Sequence, residues 1–301
     1  CIKSISTAHH SLIFCGYHQV NLMLMVFFPE ACDFICDNKK DTLSSAEPIL
    51  TGNIVRNYRD LASKHNVWLS MGGLHEKVDP TKIFNTHIII DNRGDIVQTY
   101  RKLHLFDVEI PEKNIRLKES DFCNPGRHIV SPVDSPVGKI GMSICYDMRF
   151  PELSTSLSIL SAEILTFPSA FTYATGAAHW HILLRARAIE NQCFVIAAAQ
   201  TGQHNAKRRS YGHALCVSPW GEVLADCGEE SPPDVYSLYA LSLRKSLLPE
   251  HAHKESAVET RTPDPSDSEP MNVFGHVRVP ESCVFYKTRL TYAFVNLRLV
   301  K

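Results

Sequence analysis

Between residues 20 and 243 the chain alternates short apolar runs with longer stretches of helical period. "MLMVFFPE" is apolar up to Pro29-Glu30, which reads as a buried strand leading into a loop. "GNIVRNYRDLASKHN" places Ile54, Tyr58, Leu61 and Ala62 on one face and predicts a helix. "VWLSMGGLHE" reads as a strand, and "THIIIDNRGDIVQTYRK" as a hairpin turning at Asn92-Arg-Gly94. "KIGMSICYD" predicts a further strand, "RFPELSTSLSILSA" a helix, and "EILTFPSAF" the strand after it. "AAHWHILLRARAIENQ" predicts a long helix, and "CFVIAAAQTG" a single buried strand. "GHALCVSPWGEVLADCG" is a hairpin turning at Pro219-Trp-Gly221, and "DVYSLYALSL" an edge strand.

Strands joined both by hairpins and by helical crossovers predict an α/β fold with a mixed sheet. Two such sheets packed together make a four-layer α-β-β-α sandwich. From residue 249 the pattern breaks. "PEHAHKESAVETRTPDPSDSEP" is polar and rich in Pro and Ser, which predicts a linker. Strand patterning returns in "CVFYKT" and "TYAFVNL". The expected organisation is therefore a main domain over 1–248, a linker over 249–271, and the first strands of a second domain over 272–301, a stretch too short to bury a core of its own.

Composition narrows the functional classes. Of 301 residues, 44% are hydrophobic and 21% charged, and the formal net charge is −1, so neither nucleic acid nor membrane is an expected partner. No run of apolar residues is long enough to span a bilayer. The ten cysteines form no dense framework and no C-x-x-C pair, which predicts reduced thiols and a cytoplasmic setting. The closest histidine pairs, His179-Trp-His181 and His251-Ala-His253, lack cysteine or acidic company, so no metal is expected. Lys207-Arg208-Arg209 reads as a solvated loop.

Candidate chemistry centres on "GKIGMSICYDMRFPEL". Cys145 ends an apolar run and is followed at once by Tyr146, Asp147 and Arg149. Two readings stay open: a small core residue at a sheet edge, or a nucleophile at a strand-to-helix turn. A thiol needs a base or a stabilised thiolate to be a nucleophile. Glu30 and Lys102 both follow strands, and a carboxylate and a cation there suit a base and an oxyanion donor. Were the three strands side by side, their ends would bring Glu30, Lys102 and Cys145 together. Spacing alone leaves the choice undecided.

The blocks "FFPEACDFI", "YRKLHLFDVEIPE", "SICYDMRFPEL", "FPSAF", "HWHILLRARAIENQCFVIAAAQTG" and "SYGHALCVSPWGEVLA" closely resemble, in order and spacing, the nitrilase (carbon–nitrogen hydrolase) superfamily, over roughly residues 26 to 243. The nearest branch is the Nit amidases, which act on small ω-amides such as deaminated glutathione. The resemblance implies a nitrilase-type sandwich and a catalytic set of Glu30, Lys102 and Cys145. It also implies a supporting Glu119, in "RLKESDF", and an oxyanion contact from the Tyr146 backbone N–H. It implies an amide substrate, a thioester intermediate, no cofactor, and a homo-oligomer, a dimer or tetramer. Phe171 and Thr172, on the loop after the next strand, are expected to line the substrate pocket. Asp147, Arg149 and Glu152 are expected to form an ion network fixing the elbow, and Arg185, Arg187 and Glu190 to serve mainly structure. A true nitrilase and a non-catalytic oligomerising fragment are the rival readings.

Two further expectations concern the ends. "FGHVRVPESCVFYKTRLTYAFVNLRLVK" resembles the opening of a fragile-histidine-triad hydrolase, a family of dinucleoside-triphosphate hydrolases, but no H-x-H-x-H run occurs, so no catalytic residue is assigned there. Residues 1–19 do not match the strand and helix that open the nitrilase pattern, which predicts unpaired backbone beside Glu30.

Overall fold

The computed structural model describes residues 22–229 except 111, 113–114 and 207; outside that span it describes the backbone of short strands only. In chain order, β1 (His10–Ser11), β2 (Ile13–Tyr17) and β3 (Leu22–Phe28) precede α1 (Lys39–Ser45) and α2 (Asn53–His65). β4 (Trp68–Lys77), β5 (Ile83–Ile90) and β6 (Ile96–Arg101) follow. The hairpin of β7 (Asp107–Ile110) and β8 (Ile115–Lys118) leads through a 3-10 turn at Glu119–Asp121 to β9 (Val133–Ser135) and β10 (Gly138–Met142). A second 3-10 turn, Cys145–Arg149, opens into α3 (Pro151–Ile159), β11 (Ile164–Thr166) and α4 (Tyr173–Asn191). The unit closes with β12 (Phe194–Ala197), β13 (Ala199–Asn205), β14 (Arg208–Tyr211), β15 (Leu215–Val217), β16 (Val223–Asp226) and β17 (Ser237–Tyr239).

Two six-stranded mixed sheets result, ordered β17-β2-β3-β4-β5-β6 and β16-β15-β12-β11-β10-β9. Side-chain alternation along β3 sets the layering. Met25 and Phe27 join the cluster that holds Ile140, Met142 and Ile164 of the second sheet, whereas Val26 and Phe28 pack with Val55 and Ala62 of α2. Leu157 of α3 lies against Gly141, and Trp180, Leu184 and Ala188 of α4 join the second sheet's core. The order is helix, sheet, sheet, helix. Ile88, Ile89 and Ile90 are all fully buried because β5 is covered on both faces. Each such side chain contributes about 1.5–3 kcal/mol of apolar burial.

Several expectations need correcting. "CFVIAAAQTG" is not one strand. It breaks at Ala198 into β12, in the second sheet, and β13, which pairs with β14 and β1 in a separate three-stranded sheet. A continuous apolar run carries no period that would reveal the break. The backbone beside Glu30 is not left unpaired: β2 covers the flank of β3, with Ile13 opposite Phe27 and Phe14 opposite Val26. The buried face of α2 centres on Val55 and Ala62, with Ile54, Tyr58 and Leu61 half-buried at its margin. Arg208 and Arg209 open strand β14 rather than lie in a loop, and Lys207 lies outside the described residues. The β7–β8 hairpin was not legible, yet it delivers Glu119.

The chain divides into two compact units, Cys1–Arg244 and Lys245–Lys301. The second contains two antiparallel pairs, β18 (Met271–Phe274) with β19 (Val277–Pro280) and β20 (Val284–Lys287) with β21 (Tyr292–Phe294). The expected linker over 249–271 lies outside the described residues except for Met271. Among the described residues no helix is long and apolar enough to cross a membrane.

Candidate active site

Glu30 and Lys102 follow β3 and β6 of the first sheet, and Cys145 opens the 3-10 turn after β10 of the second. The three strands are therefore not side by side: β4 and β5 stand between β3 and β6, and β10 faces them from the other sheet. The groups meet across the sandwich rather than along one edge. Cys145, Glu30 and Lys102 are 8%, 7% and 2% exposed, so water screens their interactions little.

The Lys102 Nζ donates to Glu30 Oε1 at 2.9 Å and to Glu119 Oε2 at 2.9 Å. The Glu30 Oε2 accepts from the Ala170 backbone N–H at 2.9 Å. Burial alone would raise the Glu30 pKa, but the Lys102 charge, its hydrogen bond and those of Cys145 and Asn85 hold the carboxyl well below its usual range. Burial would lower Lys102, yet the charges of Glu119 and Glu30 push it well up, so it stays an ammonium. Burial first, and the Glu30 charge second, push the Cys145 thiol well up. The resting centre is thus a neutral thiol, an ionised Glu30 and an ammonium that also donates to Glu119.

The backbone around these groups is held in rare conformations. Cys145 has φ 46° and Ala31 φ 56°, both left-handed for residues with a Cβ. The Cys145 N–H is anchored to the Pro168 carbonyl at 2.9 Å. Ala31 is anchored by its N–H to the Gly73 carbonyl at 2.8 Å, and the Gln200 amide donates to the carbonyls of Glu30 and Ala31 at 2.9 and 3.1 Å. β4 bulges between Met71 and Leu74. There Gly73, at φ +67°, approaches so closely that an added Cβ would sit 2.8 Å from Glu30 Cγ. Sequence reasoning missed Asn85, Ala170, Gln200 and Gly73. The Gly72-Gly73 pair inside a strand was a readable signal for a bulge, and Asn85 was a lone amide in an apolar strand. A backbone donor such as Ala170 N–H leaves no trace in residue type.

The expected Asp147–Arg149–Glu152 network is absent among the described residues. Asp147 is fully buried and accepts from Tyr100 OH at 2.7 Å, from Ile144 N–H at 3.0 Å, and from the His104 N–H at 3.0 Å; His104 Nδ1 faces it at 2.7 Å. Arg149 instead contacts His179 Nδ1 at 3.2 Å and sits over the rings of Tyr146 and Phe171, while Glu152 is exposed. The physical reason is that Tyr100, His104 and the Ile144 N–H already occupy the oxygens of Asp147. Tyr146 packs edge-on against Phe106 and Phe150. Phe171 is buried against Trp180, and Thr172 immediately precedes α4 with its hydroxyl on that of Thr175, at 2.6 Å. Arg187 donates to the Met148 carbonyl at 2.9 Å and pairs with Glu190, bracing the elbow from behind; Arg185 donates to the Gly221 carbonyl.

One histidine expectation changes. His181 does have acidic company: its Nε2 lies 2.9 Å from Asp226 Oδ2, and His213 Nδ1 lies 2.8 Å from Asp226 Oδ1. The three ligating atoms lie within 4.8 Å of one another, so the set could hold a metal ion. As it stands it is satisfied as a hydrogen-bonded set, since Asp226 also accepts the Gly228 N–H at 2.9 Å. His251 and His253 lie outside the described residues.

Residues 19–236 match the family described as Carbon-nitrogen hydrolase. The Drosophila melanogaster nitrilase and fragile histidine triad fusion protein NitFhit is 46% identical over 285 residues, covering 92% of this chain and 60% of that relative. The Dictyostelium discoideum deaminated glutathione amidase is 58% identical over 215 residues, 69% of this chain and 72% of the relative. The crystal structure of the Caenorhabditis elegans NitFhit protein superposes with a TM-score of 0.68 at 42% identity, covering 97% of this chain and 76% of that one. The chain thus spans 60% of the length of the fly fusion protein.

Proposed function

The chain belongs to the carbon–nitrogen hydrolase family, and we propose that it is a cysteine-dependent amidase releasing ammonia from a small ω-amide such as deaminated glutathione. The observation that carries this reading is the protonation pattern of the centre: a neutral thiol facing an ionised carboxylate, beside an ammonium with a donor to spare. Lys102 has three N–H groups and spends two on Glu30 and Glu119.

The thiol does not ionise in advance, because burial and then the neighbouring Glu30 charge both disfavour a thiolate. Its proton passes to Glu30 as Sγ bonds the amide carbonyl carbon. The carbonyl oxygen takes up the electron pair, stabilised by the third N–H of Lys102 and by the Tyr146 backbone N–H. Glu30 returns the proton to the nitrogen, the C–N bond breaks, and ammonia leaves a thioester. Glu30 then takes a proton from water as its oxygen adds to the thioester carbonyl. Collapse expels Sγ, which regains its proton, and the acid departs. Glu119 orients Lys102. Phe171 and Thr172 flank the approach to Cys145.

The accompanying domain reading is an amidase domain over 1–248, a linker over 249–271, and the opening of a histidine-triad domain over 272–301. It is supported by the alignment of 92% of this chain to proteins named as fusions. Dinucleoside-triphosphate hydrolysis would belong to the longer fusion. A homo-oligomer is supported by the exposed apolar side chains Ile159, Ile182, Ile189 and Trp220 on α3, α4 and the β15–β16 turn.

The test is ammonia release from deaminated glutathione by the wild type and by Cys145→Ala. The expected outcome is release that vanishes in the variant. Release that persists, or release from a nitrile but not from the amide, overturns the reading.

A further inference from the structure

We infer that Asn85 is a positioning residue of this centre: its amide ties the Glu30 and Glu119 carboxylates together and so leaves the third N–H of Lys102 for the oxygen under attack. For its chemistry the inference rests on the amidase reading; for its residue it rests on geometry alone.

Asn85 Nδ2 donates to Glu30 Oε1 at 2.9 Å and to Glu119 Oε1 at 2.9 Å. Both partners are carboxyl oxygens of groups that already accept from Lys102, so the amide turns its nitrogen to them. Its oxygen is thereby directed into the protein, buried with no partner. Nearly all buried acceptors in folded proteins are satisfied, so an orphan in the middle of a polar cluster calls for an explanation. A requirement for two N–H donors at this spot supplies one. The absent side chain of Gly73 makes room for the orphan, since a Cβ there would lie 2.9 Å from Oδ1.

The donors count out the same way. Two carboxyl groups share one ammonium. Each carboxylate accepts one hydrogen bond from Lys102 and one from Asn85. Without the amide, the neighbouring oxygens would compete for the remaining Lys102 proton, which then would not face substrate. Asn85 holds the other end of the same lysine as well: its carbonyl accepts the Lys102 backbone N–H at 2.9 Å. One residue on β5 therefore fixes Lys102 through its backbone and both of its counter-ions. The remaining groups facing Glu30 are Cys145 and the Ala170 N–H from the second sheet's loops, the buried Cys123 after the Glu119–Asp121 turn and, from β4, His75, which is paired with Asp33.

The test uses Asn85→Ala and the volume-preserving Asn85→Leu, each checked by a thermal melt. Two readouts are taken: kcat and KM for deaminated glutathione, and the pH dependence of Cys145 alkylation by iodoacetamide, followed by mass spectrometry. The expected result is a fall in kcat of about a hundredfold with KM changed by less than about threefold. The alkylation rate, level toward acid pH in the wild type, should turn down within the folded range in the variants, because Glu30 has lost a donor to its charged form. Wild-type kcat overturns the proposal. A lost kcat with an unmoved alkylation profile also overturns it, since that is the mark of a merely structural residue. Failure of both variants to fold makes Asn85 a folding residue and overturns it too. If the wild type releases no ammonia while the variants still shift the alkylation profile, the amidase reading falls and the positioning role stands.

Discussion

Two carboxylates lie within one stretch of this core, both almost out of reach of water, and only one of them suits chemistry. Asp147, two residues after Cys145, receives a phenol, two backbone N–H groups and an imidazole. Glu30 receives an ammonium and an amide on one oxygen and a backbone N–H on the other, and its carboxyl also receives the Cys145 thiol. The donors of Asp147 are all fixed and needed where they are. Glu30 alone faces a proton that can leave. Burial and a full set of donors are common to both sites. What separates a base from a brace is whether one of the donors is mobile.

The sharpest way to break this comparison is Glu30→Gln. Removing the base should lower kcat on the order of a thousandfold, while a thermal melt falls only modestly, because Lys102 keeps Glu119 as a counter-ion and the amide oxygen still accepts from Lys102. A drop in melting as large as the drop in rate would erase the distinction. A third buried titratable group extends the comparison. His87 bridges the sheets, its Nε2 2.8 Å from Ser70 Oγ and its Nδ1 3.2 Å from the Ser143 carbonyl, and burial lowers its pKa to about 4. As pH falls, the unfolded chain takes up this proton first, so stability is lost between about pH 6.5 and 4, by about 3 kcal/mol. Denaturant melts across that window should show the slope, and His87→Gln should flatten it. The smallest effect belongs to Asp147→Asn. It should destabilise by about 2 kcal/mol, because an amide cannot accept from four donors, and reduce kcat only as far as the elbow shifts. A melt unchanged from wild type would show that Asp147 is not a brace.

How legible was all this? The helices and most strands of the sandwich follow from period alone, because apolar positions recur at the spacing of a helix or a strand. The assembly of the site does not. Spacing left Cys145 between core thiol and nucleophile and offered Glu30 and Lys102 only as candidates at strand ends; the resemblance of whole blocks decided for that set and added Glu119. The sequence suggested three neighbouring strands, whereas the thiol comes from the opposite sheet. The donors that tune Glu30 were the hardest to see. Asn85 has no charge to draw attention, Ala170 acts through its backbone, and Gln200 lies in an Ala-rich run whose break between sheets has no periodic signature. Residue type records what a side chain is, and only topology records what it faces.

Gln200 carries one last consequence. It clamps the carbonyls of Glu30 and Ala31 across 170 residues of chain, while Ala170 reaches Glu30 across 140 and Lys102 across 72. Contacts so far apart in sequence close late, since each long loop must first lose its freedom. On a ribosome, Glu30 emerges long before the residues that aim it, and Cys145 emerges before Ala170 and Gln200. A nascent chain short of residue 200 therefore lacks the donor that clamps Glu30 and Ala31, and the surroundings of Glu30 are complete only once synthesis has passed that point.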